Sequence, residues 1–428
     1  MKLITAIKIL RDRYLTQNTK QNYWLFSAFS HEVKTLILHP DKVLRQHLRH
    51  DLIKFAFGLV KPVNNQTETR ARAAVDWLLL AQSASPDEGV ALGYFPVDGV
   101  YQGWRASYPE TTGYIITSLL HYARRYNDPN IKEAALRMAQ WEIALQMPSG
   151  AVQGGPVTTP EKQTPAAFNT GMVLDGWCSA YLETHQRDFL DAARKAAHFL
   201  LNDMGEGGYF QTNGEYVSAG ELKTYTCLCA WAMYRFGVLD GDSRYLQSAI
   251  LSIEAALRQQ QTNGWFSHNC LSRSEAPLTH TIGYALQGIL EVGVLSGRGD
   301  FITAARRGID PILDKITSKG YLPGRFYPTW EPASFSSCLT GSAQIAIVCF
   351  RLAELTGDTR YATSANLLVN FLKSLQALDL NNPALNGAIA GSFPILGEYM
   401  RSGYPNWATK YYLDALMLQE KLVSKQMP

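Results

Sequence analysis

The chain has 428 residues, 46% hydrophobic and 11% aromatic, with only 18% charged and a net charge of +3. Such a length supports a large buried core, and the near-zero charge excludes a chain built to coat nucleic acid. No stretch reaches the roughly 18 apolar residues of a bilayer-spanning helix.

Residues 1–61 differ from the rest. They carry eleven Lys/Arg against four Asp/Glu, a net +7 that leaves the remainder at −4. The opening MKLITAIKILRDRYL is a poor secretion signal, because Lys8 breaks its apolar run and no small-residue cleavage site follows. A cytoplasmic protein is therefore expected. The segment also holds apolar runs such as Leu52–Val60. It reads as a helical extension packed on the body of the protein, or as a peripheral contact with the inner face of a membrane. The expected division is a basic helical extension over residues 1–65 and one domain over residues 66–428.

From residue 66 onward a two-helix unit repeats. One helix class recurs at Ala71–Gln82, Ala135–Gln146, Ala192–Asn202, Ser248–Gln260, Ala304–Asp314 and Ser364–Gln376. The other carries a Gly or Thr at Gly113, Gly171, Thr226, Gly283, Gly341 and Thr409. The period, about 57 residues, is too long for a tetratricopeptide or ankyrin unit. It suits two long helices and one long loop. No single pair can bury its apolar stripe alone, so the expected fold is all-α, six pairs closed into an (α/α)6 toroid.

The connections alternate in length. YNDPN, THQRD, LDGDSR, SGRGD and TGDTR are short, with Asp and Gly suited to helix caps. The others, at 83–108, 147–166, 203–220, 261–278, 317–336 and 377–404, are long, and long loops in a compact domain are usually functional. Every short turn should lie at one end of the ring and every long loop at the other. The long loops lead into helices expected to begin at Glu110, Phe168, Lys223, His280, Cys338 and Asn406. If these are the inner helices, six N-termini converge on one mouth and bring partial positive charge to it. Asn-Gly pairs at Asn213-Gly214 and Asn263-Gly264 predict small hairpins in the loops. Pro311 predicts a kink in an outer helix.

Chemistry-bearing residues collect at this mouth. Trp104, Arg105, Tyr108, Glu110 and Tyr114 share one tract. Asn169 opens the next inner helix, Lys223 and Tyr225 the third, His280 and Tyr284 the fourth, and Asn406 and Lys410 the last. Arg325, Tyr327 and Trp330 lie in the loop GRFYPTWEP, and Tyr101, Tyr209 and Trp265 add further rings in other loops. Flat aromatic faces beside isolated polar groups suit a sugar, whose C–H face stacks while its hydroxyls hydrogen-bond. Glu110 is the carboxylate candidate, although an acid in a first helical turn is favoured by about 0.3–1 kcal/mol without further role. A His at the mouth, as at His280, can titrate where proton transfer is useful. Asn169 and Asn406 read equally as N-caps. Arg325 can clamp a carboxylate through two N–H groups.

There is no HExxH or paired His/Cys spacing, no phosphate-binding Gly-rich loop and no nucleophile elbow. No metal or organic cofactor is expected. Cys178, Cys227, Cys229, Cys270, Cys338 and Cys349 lie mostly in apolar helical patterns, which predicts buried free thiols and a reducing compartment.

The repeat, the tract QTNGWF and the tract SYPETTGY resemble the (α/α) toroids of carbohydrate-active enzymes and the terpenoid-cyclase-like toroids, although the Asp-rich motif of the cyclases is absent. SSCLTGSAQIAI (336–347) and GAIAGSFPILGEYMRSGYPNWATKYYLDAL (387–416) look like proteins encoded in bacterial polysaccharide gene clusters. They also resemble the helical domain of glucuronyl C5-epimerases. The resemblance spans about residues 66–425 and implies an enzyme whose partner is an acidic, uronic-acid-containing oligo- or polysaccharide. The expected reaction is proton abstraction at C5, giving epimerisation or β-elimination, with Glu110, Tyr225 and His280 catalytic and the other candidates binding the sugar. One alternative is a glycoside hydrolase in which Glu110 pairs with Glu221, Glu275, Glu331 or Glu398. The other is a glycan-binding protein without catalysis.

Overall fold

The computed structural model describes residues 42–96, 103–214, 217–271, 276–378 and 382–426, together with residues 4, 5 and 8. Tyr101 and Glu275 lie outside the described residues, as does most of the basic segment before Lys42.

A helix α1 (Lys42–Ala56) precedes a double ring. The outer helices are α2 (Thr67–Ser83), α4 (Pro129–Leu145), α6 (Arg187–Asp203), α8 (Ser243–Leu257), α10 (Gly299–Leu313) and α12 (Thr359–Leu375). The inner helices are α3 (Pro109–Tyr126), α5 (Ala167–Thr184), α7 (Cys227–Asp240), α9 (Thr279–Ser296), α11 (Leu339–Thr356) and α13 (Asn406–Gln426). Each inner helix packs on the next, and α13 closes the ring against α2 and α3. This is the expected (α/α)6 toroid. The inner helices start within one residue of their expected positions, counting the 3-10 turn Thr224–Thr226 that leads into α7.

Burial separates the two rings. Outer α6 hides one stripe, Phe189, Ala192, Ala193, Ala196, Ala197 and Leu200, and is otherwise wet. Inner α9 is buried almost without interruption from Thr279 to Gly293. An inner helix touches neighbours on both flanks and an outer helix behind, so it is apolar nearly all round.

Two repeated residues explain the period. Gly113 lets α3 approach α5 so closely that a Cβ there would lie 2.6 Å from Val173 Cα. Gly171 does the same between α5 and α7, where a Cβ would fall on the Cys229 Sγ. A Gln ends the outer helices of four repeats and joins each to the next outer helix. Gln82 Nε2 donates to Ala134 O at 3.4 Å, Gln146 to Ala192 O at 3.0 Å and Gln260 to Ala304 O at 2.9 Å. Gln376 donates to Arg70 O at 3.0 Å, which joins the last outer helix to the first.

The short turns begin with a left-handed residue at Asn127, His185, Gly241, Gly297 or Gly357. Asp128, Asp242 and Asp358 then cap the following helices through their side chains, as expected. Of the two expected hairpins, Asn263-Gly264 forms one, closed by a Gln260–Phe266 bridge. Asn213 pairs instead with Ala166, the residue before α5. Pro311 stands in the last turn of α10, which continues to Leu313. The long loops contribute short strands. β1 (Gly93–Phe95) pairs antiparallel with β2 (Gly103–Trp104) and with β5 (Tyr404–Pro405), while β3 (Ser337–Cys338) pairs with β4 (Ser392–Phe393). The β1–β5 pairing ties the first loop to the last and closes the ring a second time.

Helix α1 packs on the long-loop end. Leu48 and Leu52 are buried, and the Phe55 ring meets Tyr321, Phe335 and Phe393. Asp51 accepts from the Ile395 amide at 2.7 Å and His47 meets Tyr404 Oη at 3.0 Å. Residues 42–56 are thus a helix seated on the long-loop end. All six cysteines are free and buried.

Candidate active site

Helical spacing puts one residue per turn of each inner helix toward the axis. Along α3 these are Glu110, Tyr114, Thr117, His121 and Arg125, and along α9 His280, Tyr284, Gln287 and Glu291. Side chains on a helix lean toward its N-terminus, so the first members of each stripe crowd into the mouth.

There they form a continuous cluster. The His280 ring lies 4.4 Å from Tyr284 and 5.4 Å from Tyr399, centroid to centroid. Phe168 bridges Tyr284 at 4.9 Å and Tyr225 at 5.4 Å. Tyr411 stands 5.5 Å from Tyr114 and 6.0 Å from Tyr284. Trp407 donates its indole N–H to Tyr399 Oη at 2.9 Å, and its ring meets Tyr108. Tyr108 in turn donates to Glu110 Oε2 at 2.9 Å.

Glu110 is the electrostatic centre of this cluster. It is half-buried by surface area, yet rings and backbone surround its carboxyl on most sides. Burial pushes it up to about 7, and the Tyr108 hydroxyl opposes that only in part. Burial pushes the hydroxyls of Tyr114, Tyr225, Tyr284, Tyr399 and Tyr411 up, and the Glu110 charge adds to this, as the second cause at Tyr114 and Tyr225 and a lesser one at the other three. These phenols stay protonated near neutrality and act as donors. The hydroxyls of Tyr114 and Tyr284 are buried without a partner of good geometry. His280 Nδ1–H donates to Gln344 Oε1 at 2.7 Å, which leaves Nε2 as an acceptor. Burial lowers His280 to about 4, so it is neutral in the physiological range.

Tyr114 and Tyr411, with Tyr284 beside them, form a floor under Glu110. Below it an axial cavity of about 360 Å³ extends toward the short-turn end, walled by Met172, Leu228, Trp231, Ile347 and Leu418. Lys410 belongs to this lower space. Its ammonium pairs with Asp414 at 2.8 Å and lies 3.9 Å from the Tyr411 ring centre, so its expected place in the mouth is corrected. Lys410 stands a turn further along its helix than Asn406, and its pairing with Asp414, four residues on, draws the ammonium away from the mouth.

The other candidates divide by contact. Asn169 spends its amide on Gln153 O at 3.0 Å, and Asn406 donates to Ala91 O at 2.9 Å and to Thr111 Oγ1 at 2.8 Å. Both fasten long loops to inner helices, and neither uses its side chain as an N-cap. Lys223 is buried and paired with Glu221 at 2.9 Å. Arg325 pairs with Glu398 at 3.2 Å and donates to Ala276 O at 2.6 Å. Trp104 rests on Tyr94 and Trp77, and the Arg105 guanidinium stacks on Phe95. Trp330 is buried against Trp265 and Phe326 with its N–H on Asn263 O, while Tyr327 in the same turn is 46% exposed. This Tyr327–Trp330 turn packs on the Asn263 hairpin and joins none of the rings around Glu110. Glu331, beside it, is exposed and pairs with Lys315.

Sequence reasoning missed Tyr399, Trp407, Tyr411 and Gln344 as members of the cluster. Tyr411 and Gln344 had a signal, since each lies on the axial stripe of an inner helix. Tyr399 had none, being delivered by an irregular loop.

Among the described residues no group of three or more His, Cys, Asp or Glu stands in a metal-holding arrangement. No family model matches the chain, and no curated protein matches it. Solved structures do. An unsaturated glucuronyl hydrolase specific for heparin shares 13% identity at a TM-score of 0.66, over 84% of this chain and 98% of its own. The unsaturated glucuronyl hydrolase of Bacillus sp. GL1, responsible for degradation of glycosaminoglycan, shares 16% at 0.64, over 84% and 97%. A D-mannose isomerase shares 13% at 0.66, over 84% and 98%. At such identities the likeness is one of fold. None of these three is a C5-epimerase.

Proposed function

We propose that the chain is a glycan-active enzyme that hydrolyses a uronic-acid-containing oligosaccharide, with Glu110 as its proton donor. The observation that carries this is the Glu110 carboxyl, set among aromatic rings and pushed to about 7 with no cation contributing. Such a carboxyl is about half protonated near neutrality and can deliver a proton to a departing glycosidic oxygen. Hydrolysis also needs an ionised carboxylate to activate water. Glu221 and Glu398 flank the cluster, each beside a cation, Lys223 or Arg325. The aromatic walls offer stacking faces, and the hydroxyls of Tyr114 and Tyr284 offer hydrogen bonds to sugar hydroxyls. The likeness in fold to proteins named unsaturated glucuronyl hydrolases supports both the uronate and the hydrolysis.

A second reading, proton abstraction at C5, is favoured by one observation. His280 is neutral and keeps Nε2 as an acceptor in the same cluster. On that reading Tyr225, held protonated by burial and by Glu110, returns a proton rather than removing one.

The test is incubation with a panel of acidic oligosaccharides in deuterated water, some carrying unsaturated uronyl ends. Hydrolysis gives new reducing ends with no deuterium at C5 and no new ultraviolet absorbance. Deuterium at C5 or new absorbance selects the second reading. Glu110→Gln should lose about 10²–10⁴-fold in turnover while still binding, and whichever of Glu221→Gln and Glu398→Gln loses comparably names the base. Parent-like turnover by Glu110→Gln sinks the proposal.

A further inference from the structure

The exposed side of α1 carries a charge pattern that the glycan site does not use. Five Lys/Arg between residues 42 and 61 face one acid, Asp51, whose carboxyl is turned onto the Ile395 amide. Lys42, Arg49 and Lys61 are exposed, while Lys54 is half-buried and its charge acts on the Asp51 carboxyl. Where the helix ends, Phe57 and Leu59 stand 42% and 56% exposed. Beside them runs a groove of about 870 Å³ walled by Phe55, Phe57, Val60, Phe335 and Phe393, with Lys54 and Lys319 also lining it. The turn that presents the apolar pair is fixed, because Lys319 Nζ donates to Gly58 O at 2.7 Å.

We propose that this surface docks on an anionic lipid bilayer, with Phe57 and Leu59 entering the acyl region and the cations meeting the head groups. Charge complementarity selects the occupant. A cationic patch around protruding apolar side chains matches a leaflet of anionic lipid, since each Lys or Arg near such a surface adds attraction within a Debye length. An acyl chain is apolar enough for the groove, and its head group would lie near Lys54 and Lys319. The patch sits on the long-loop end, because α1 rests on the loops that carry Phe335, Phe393 and Ile395. Docking therefore brings the mouth end of the toroid to the membrane, whatever reaction the mouth performs.

The experiment is flotation of the full chain with vesicles of phosphatidylcholine alone or mixed with phosphatidylglycerol, at low and high salt. Binding should require phosphatidylglycerol and weaken with salt. The triple variant Arg49→Gln, Lys54→Gln, Lys61→Gln should bind about a hundred-fold more weakly, at about five-fold per cation removed. Phe57→Ser with Leu59→Ser should lose the salt-resistant part of the binding. Parent-like circular dichroism in both variants separates these losses from misfolding. Equal flotation with both vesicle types, or binding indifferent to the three cations or to Phe57 and Leu59, overturns the proposal. So does self-association in solution that the Phe57→Ser, Leu59→Ser pair abolishes without any vesicle binding, which assigns the face to a second copy of the chain.

Discussion

At the scale of single residues, Glu110 has consequences beyond catalysis. Its folded-state value of about 7 exceeds the ordinary 4.5 because burial penalises the charge. A carboxyl raised by folding contributes stability that is fully present below 4.5 and is lost as pH rises through about 7. Glu110→Gln keeps the shape and removes the charge. The variant should therefore melt above the parent at pH above about 7 and together with it below 4.5, in thermal denaturation followed across pH. The parent's turnover should fall as pH rises past about 7, because a proton donor must be protonated. A variant that melts below the parent at high pH would mean that the carboxylate is compensated. Glu110 was legible in the sequence because it opens a helix fed by a long loop. Lys410 was equally conspicuous but stands below the Tyr floor, since its pairing with Asp414 was not in the pattern.

At the scale of helices, the two repeated residues make separable predictions. Gln376 joins α12 to α2 through buried bonds to Arg70 O and Gly387 O, both at 3.0 Å, and accepts from Tyr412 Oη at 3.1 Å. Gln376→Leu strands several buried polar groups at about 1–3 kcal/mol each, so unfolding free energy should drop by roughly 3 kcal/mol or more. Gln146→Leu should cost less, because Gln146 is only half-buried. Denaturant unfolding of both variants checks the order, and equal losses would mean that the closure is not special. Gly171→Ala drives a methyl onto the Cys229 Sγ, a side-chain atom, whereas Gly113→Ala drives one to 2.6 Å from Val173 Cα, a backbone atom. Cys229→Ala should restore much of the stability lost in Gly171→Ala. Val173→Ala should rescue Gly113→Ala poorly, and a full rescue would show that the helices can part. The glycines were visible in the sequence as period markers, but their role was not, because a period does not say which helix face is crowded.

At the scale of the whole molecule, the ring is a closed wall with its thiols inside. Burial pushes Cys178, Cys227, Cys229, Cys338 and Cys349 up, and Cys270 is 8% exposed. Thiolate is the reactive form, so the native chain should be nearly inert to a thiol-specific chromogenic reagent and should release six equivalents once denatured. Rapid reaction of several thiols in the native state would mean that the toroid opens. The sequence by itself determined the all-α class, the six pairs and the starts of the inner helices, because helical periodicity, caps and alternating loop lengths are local signals along the chain. It also placed Glu110, His280, Tyr225 and Tyr284 at one end of the ring. Only the tertiary structure decided that the phenols of five elements face one carboxyl, that Gln344 orients His280, and that Asn169, Asn406 and Trp330 serve packing. Those relations depend on which side chains converge across the axis, between residues as far apart as Glu110 and Tyr411, and no local pattern encodes such distances. Burial without a compensating cation, which sets the state of Glu110, is likewise a property of the closed ring and of no shorter piece of it.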